Sequence, residues 1–218
     1  MTTMTLVIGN KNYSSWSMRA WLALRQTGAA FEELVIHLGQ ENRHQAIHAH
    51  SPSGKVPVLK HGALRVWETL AIIEYLAEQF PQASLWPEDP SARAHARAIS
   101  AEMHAGFAAL RLCMPMNVRA SRPGVGHTAE AEADVERISE IWRDCRDRFG
   151  ADGPFLFGAF GAADCMYAPV VTRLLTYAVK LDDICRAYAD ATLNWPPVKE
   201  WIAAALAEPM SIPRIDES

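Results

Sequence analysis

The chain has 218 residues, with hydrophobic residues at 50%, charged residues at 21%, a formal net charge of −4 and a pI near 6.1. This composition fits one sizeable core or two small ones, and it offers no basic face for nucleic acid. No apolar run is long enough to span a membrane, and Met1-Thr2-Thr3-Met4 lacks the basic and apolar regions of a secretory leader.

Thr5-Leu6-Val7-Ile8 reads as a buried strand closed by Gly9-Asn10. A polar loop, Asn12-Tyr13-Ser14-Ser15, leads into a helix over Ser17 to Thr27 that packs with Met18, Trp21, Leu22 and Leu24 and stops at Gly28. Phe31 to Leu38 reads as a second strand. Gln40 to His50 is polar and weakly helical, and Ser51-Pro52-Ser53-Gly54 is a turn cluster. Val58-Leu59 and Leu64–Trp67 form a strand pair interrupted at Gly62. Thr69 then opens a helix with Ile72, Ile73, Leu76 and Phe80 on one face. The first 80 residues therefore spell β-α-β-(α)-β-β-α.

Pro81, Pro87 and Pro90 break the next stretch, in which Leu85 and Trp86 form an apolar plug. Beyond Ser91 no strand pattern remains. The periodicity predicts helices over Ser91–Leu112 (kinked or ended by Pro115), Thr128–Phe149, Gly161–Val179 (kinked at Pro169), Asp182–Ala191 and Pro196–Ala207. The expected organisation is an α+β domain at 1–80, a linker at 81–90 and an all-α domain at 91–218.

The central stretch is Lys55-Val56-Pro57-Val58-Leu59 with Trp67-Glu68-Thr69 beyond it. A proline before a strand suits a turn with a cis Val56–Pro57 bond, which would present the Val56 N–H and C=O to an extended peptide-like ligand. The N–H groups opening the Thr69 helix face any carboxylate nearby. Glutathione offers both a peptide backbone and carboxylates. Ser14, Ser15 and Ser17 crowd the start of the first helix. Capping accounts for at least one of them, while a hydroxyl facing the Val56–Pro57 turn could stabilise a thiolate by hydrogen bonding.

These residues carry a resemblance. The chain resembles a cytosolic glutathione transferase of the serine type, with a thioredoxin-like N-terminal domain and an all-helical C-terminal domain. Ser14-Ser15-Trp16-Ser17-x-Arg19 is similar to the zeta-class motif Ser-Ser-Cys-Ser-x-Arg, with Trp16 where that motif has cysteine. Glu68-Thr69 matches the family's acidic residue and hydroxyl that hold the γ-glutamyl end. Phe157-Gly158-x-x-Gly161-x-x-Asp164 matches its N-capping segment, which normally has Ser or Thr at the position of Gly161. The resemblance implies glutathione as co-substrate, a thiolate stabilised by Ser14 ahead of Ser15, and ligand binding by Lys55, Val56, Pro57, Glu68 and Thr69. It also implies conjugation to a small electrophile, with isomerase, peroxidase or non-enzymatic binding roles as alternatives, and a cytoplasmic homodimer. Ser15 and Ser17 read as better placed than Ser14 to cap the helix.

Cys113, Cys145, Cys165 and Cys185 are widely spaced, without a CxxC, and read as free thiols in a reducing compartment. His44, His48 and His50 lack an acidic or thiol partner, so no metal site is expected. His104, Phe107 and Arg111 fall near one another on the Ser91 helix, where the family lines its acceptor pocket. Packing accounts for them equally well.

Overall fold

The computed structural model describes residues 3–216. Four strands form one sheet in the order β2-β1-β3-β4: β1 (Met4–Gly9), β2 (Phe31–Ile36), β3 (Val58–His61) and β4 (Leu64–Trp67). β1 runs parallel to β2 and antiparallel to β3, and β3 pairs antiparallel with β4. The central strand is apolar on both faces because both are covered. Leu6 and Ile8 enter the main core, while Val7 meets Ile36, Ile47 and Val58 in a smaller cluster on the other side. Helices α1 (Ser15–Gln26) and α3 (Thr69–Gln79) supply the main-core side, and α2 (Arg43–His48) contributes Ile47 to the other.

The thioredoxin-like β-α-β-α-β-β-α order and the helical remainder are both as expected from the sequence. After a 3-10 turn at Pro81–Ala83 come α4 (Pro90–Ala105), α5 (Ala108–Cys113), α6 (Ala129–Phe149), α7 (Ala162–Thr176), α8 (Asp183–Asn194), α9 (Pro196–Ala207) and a short α10 (Pro213–Asp216). α6 follows the capping rules closely. Thr128 accepts from Ala131 N, acids occupy its first turn, and Arg146 and Arg148 occupy its last.

The single helix expected over Ser91–Leu112 is two. Gly106 is extended and Phe107 takes a left-handed conformation at φ 59°, which ends α4 and starts α5 at an angle. Periodicity across the break is nearly continuous, so the pattern alone hid it. Arg111 closes the joint by donating to the Gly106 carbonyl at 3.1 Å and to the Met103 carbonyl, two acceptors near the C-terminus of α4.

α7 is buried along almost its whole length and packs against α1. Asp164 reaches back to Gly161 N at 2.8 Å and also accepts from Leu156 N at 3.2 Å, as the capping pattern predicts. The glycine at the cap has a local reason. A Cβ at Gly161 would come within 2.9 Å of the Leu85 carbonyl, which is already bonded to Ala162 N at 2.7 Å. The chain between the sheet and the helices passes too close for a side chain there.

Candidate functional site

Lys55, Val56, Pro57, Glu68, Thr69, Trp16 and His104 line one cleft of about 350 Å³. The five ligand-binding residues expected from the sequence thus come together, and two more join them. Val56–Pro57 is cis, as expected. Thr69 opens α3 and is buried; its hydroxyl donates to the Trp16 carbonyl at 3.2 Å and ties α3 to α1. Glu68 precedes it at φ 66° and ψ 128°, a conformation costly for a residue with a Cβ. That backbone turn leaves the carboxylate half-exposed, 3.8 Å from His104 Nε2.

The serines divide their work differently from expectation. Ser14, not Ser15 or Ser17, caps α1: its Oγ accepts from Ser17 N at 3.3 Å and donates to Ser17 Oγ at 2.7 Å. Ser17 is fully buried and also accepts from Gly9 N at 3.0 Å, which fastens α1 to the end of β1. Ser15 takes no part in capping and instead accepts from Arg173 of α7 at 3.1 Å. A cap is set by backbone angles at one residue, and three serines within four positions do not reveal which one carries them. Ser14 and Ser15 are both nearly buried and lie beside Trp16 in the chain rather than on the cleft wall itself.

Trp16 is the hinge between the cleft and the interior. The guanidiniums of Arg19 and Arg111 lie 4.6 and 4.7 Å from its ring, and His104 meets it edge-on at 5.1 Å. Burial pushes the His104 imidazole below its ordinary value, outweighing the upward pull of Glu68, so it is neutral at pH 7.

Arg19, Arg111 and Arg173 form a cationic cluster behind Trp16. Arg19 donates to the Met166 carbonyl at 2.8 Å and contacts Met103 Sδ at 3.2 Å. Arg19 Nη1, Arg111 Nη1 and Arg173 Nε have no hydrogen-bond partner, and no carboxylate pairs with the three among the described residues. Burial first, then mutual repulsion, holds Arg19 well below the ordinary guanidinium range and pushes Arg173 down to about 9. Burial also lowers Arg111, against a weaker upward pull from Asp134. Buried cations without counter-ions are costly, and their field makes the neighbouring cleft favourable to negative charge. The sequence reading recognised Arg19 only as part of a motif and left Arg111 between two roles. It missed Arg173, which sits in an apolar helix remote in the chain. A cationic residue in that otherwise apolar run was the one available signal.

Tyr13 stands next to Ser14, yet its hydroxyl points to other work. It donates to Asp216 and accepts from Arg119 Nη2 at 2.8 Å and from Ile212 N at 3.1 Å.

The chain is similar to known proteins over most of its length. The family description "Glutathione S-transferase, N-terminal domain" matches residues 13–79, and "Glutathione S-transferase, C-terminal domain" matches residues 127–204. A maleylpyruvate isomerase from Ralstonia is 38% identical over 96 residues, 42% of this chain and 45% of that protein. The chain spans under half the length of several curated relatives it matches. A maleylacetoacetate isomerase from Pseudomonas aeruginosa is 29% identical over 213 residues, 91% of this chain and 89% of that one. Among solved structures, a zeta-class bacterial maleyl pyruvate isomerase in its holo form superposes with a TM-score of 0.73 at 25% identity, covering 95% of this chain and 99% of its own.

Proposed function

The chain belongs to the glutathione S-transferase family, and on that footing we propose that it is a glutathione-dependent isomerase acting on an anionic acyl compound with a cis double bond. Glutathione lies in the cleft with its cysteinyl backbone against Val56 beside Pro57. Its γ-glutamyl end meets Glu68 and Thr69, and its glycyl carboxylate meets Lys55. The thiol sits over the N-terminus of α1, where the helix field favours the thiolate and Ser14 turns its O–H from Ser17 Oγ to the sulfur, with Ser15 beside it. A thiol titrates near 8.5 unaided, so a drop of about two pH units makes it mostly thiolate at neutral pH.

The observation that carries the reading beyond glutathione binding is the positive charge of Arg19, Arg111 and Arg173 behind Trp16, each with one unpartnered nitrogen. Their field at the cleft suits a carboxylate-bearing substrate, and the isomerases similar to this chain are named for such maleyl compounds. The thiolate adds to one alkene carbon conjugated to a carbonyl, and the π electrons move to the carbonyl oxygen as an enolate. The former double bond, now single, rotates. The enolate then re-forms the alkene in the trans geometry and expels the thiolate, so glutathione returns unchanged and no net proton moves. The field of the cationic cluster behind Trp16 favours the substrate carboxylate in the cleft and offsets the enolate charge. Trp16 in place of the zeta cysteine is compatible with this route, which needs one thiol only, that of glutathione.

Conjugation, the reaction first expected from the sequence, shares the opening bond but traps the adduct by protonation. The two separate by stoichiometry. With substoichiometric glutathione and maleylpyruvate, the expected result is many turnovers to the trans acid with free thiol undiminished. Thiol loss matching product, with a stable thioether, would overturn the isomerase reading. Failure to retain the protein on immobilised glutathione would overturn the cleft assignment as well.

A further inference from the structure

We infer that the segment Glu208–Asp216 is a positioning element for the thiolate site, acting through Lys11, Asn12 and Tyr13 on the start of α1. The inference rests on the thiolate reading above. The loop between β1 and α1 restrains itself weakly, through Tyr13 N and Ser14 N donating to the Asn10 carbonyl at 3.2 and 2.9 Å. Ser15 N donates to the Tyr13 carbonyl, Lys11 pairs with Glu33, Asn10 accepts from Leu38 N and Trp201 Nε1 donates to the Lys11 carbonyl, and the rest of what fixes it comes from far along the chain. The Glu208 carboxylate accepts from Lys11 N at 2.7 Å and from Asn12 N at 3.0 Å, one oxygen for each of two consecutive backbone donors. The Tyr13 phenol donates to Asp216 at 2.7 Å. Arg119 ties both ends together. It donates to the carbonyls of Glu208 at 2.6 Å and Met210 at 2.7 Å and to the Tyr13 hydroxyl at 2.8 Å. Asn117 adds bonds to Asn12 and to Asp216.

These contacts end at Tyr13, one residue before the cap. Ser14 has non-helical angles and Ser15 opens the helix, so a shift of Tyr13 moves the first turn of α1 directly. The field at a helix end and the reach of a hydroxyl both fall off within one turn. Loosening the loop therefore weakens thiolate stabilisation without touching the groups that bind glutathione in the cleft.

The charges matter to the sign of the test. Around the loop are Lys11 with Glu33, Glu208, Asp216 and Arg119. Around Trp16 and the cleft are Arg19, Arg111, Arg173, His104, Glu68 and Lys55. Removing the Glu208 charge alone would favour a nearby thiolate and lower the thiol's pKa. Loss of positioning does the opposite, because hydrogen bonds to the charged form are lost.

The experiment titrates the ultraviolet absorbance of the bound glutathione thiolate in the full chain for Glu208→Ala, Glu208→Gln and Tyr13→Phe, with Ser14→Ala and Ser15→Ala as references. Expected is a rise of roughly half to one pH unit for Glu208→Ala and for Tyr13→Phe. Glu208→Gln, which keeps one acceptor, should shift less. The glutathione dissociation constant should change less than about twofold while turnover at neutral pH falls several-fold. If a serine variant raises the thiol pKa but Glu208→Ala and Tyr13→Phe leave it unmoved or lower it, the segment is a structural brace and the inference is overturned. If neither serine variant shifts it, the thiolate reading fails and takes this inference with it. Tyr13→Phe is the mild variant that decides the matter should Glu208→Ala not fold.

Discussion

Replacing Arg173 with methionine asks whether the cationic cluster is kept for a ligand or for the fold. The guanidinium is buried, makes one hydrogen bond to Ser15 at 3.1 Å and has an unpartnered Nε. Its pKa is pushed down to about 9, by burial first and Arg111 second. Against an ordinary value of roughly 12.5, and at about 1.36 kcal/mol per pH unit, holding the charge in the fold at neutral pH costs on the order of 5 kcal/mol. Relaxation reduces that figure; exchanging buried charge for apolar packing typically gains about 1–4 kcal/mol. Losing the bond to Ser15 takes back about 1 kcal/mol. Arg173→Met should therefore stabilise the free protein by roughly 1–3 kcal/mol in urea melts, while kcat/KM for the isomerisation falls about ten- to hundredfold. The pH dependence follows in sign. The folded group binds its proton less tightly than the unfolded one, so wild-type stability should rise with pH from about 9 upward, and the variant should lack that rise. A variant that loses more than about 1 kcal/mol of stability would show Arg173 to be a structural brace and refute the argument.

Glu68→Ala should weaken glutathione binding by roughly 1.5–3 kcal/mol in calorimetry; Glu68→Gly should show the same loss yet gain about 1 kcal/mol of stability, because the positive φ is then unstrained. Unchanged affinity in both would remove Glu68 from the site. Asp164 is pushed up to about 6 by burial. The folded state thus holds its proton more tightly than the unfolded chain, and stability should fall by up to about 3 kcal/mol as pH rises from roughly 4 to 6. Thermal melts of Asp164→Asn should lack that slope, and an identical slope would assign it to other groups. The chain should associate as a homodimer; sedimentation at micromolar concentration showing only a 24.1 kDa species would count against it.

Much of the cleft lined by Val56, Pro57, Glu68 and Thr69 was legible because it is built from neighbours in sequence: a Val-Pro turn before a strand and a Glu-Thr pair at a helix start. Such local chemistry survives translation into one dimension. The cationic cluster was not legible, because Arg19, Arg111 and Arg173 come from three helices and meet only through packing. Each alone reads as an ordinary arginine. Which serine caps the helix was not legible for a different reason. Composition at a helix start identifies a cap but not the residue whose backbone turns there, and Ser14 takes that turn while Ser15 faces Arg173. The break at Gly106–Phe107 was hidden because Ile99, Met103, Phe107 and Leu110 keep a helical rhythm across it while Phe107 leaves the right-handed region.

The burial of α7 has a consequence for how the molecule comes apart. Its residues, those of α1 and Leu6 and Ile8 of the central strand belong to one continuous core, and the buried Arg19 of α1 is bonded to the backbone of Met166 in the N-terminal half of α7. Two regions that look separable along the chain therefore share their interior. Unfolding either would strip apolar surface from the other, so the two should melt in a single cooperative transition. The same sharing restricts inheritance. A chimera joined near the linker, with the sheet from one relative and the helices from another, must bring matching partners on both sides of the α1–α7 contact or begin life with a cavity or a clash at its centre.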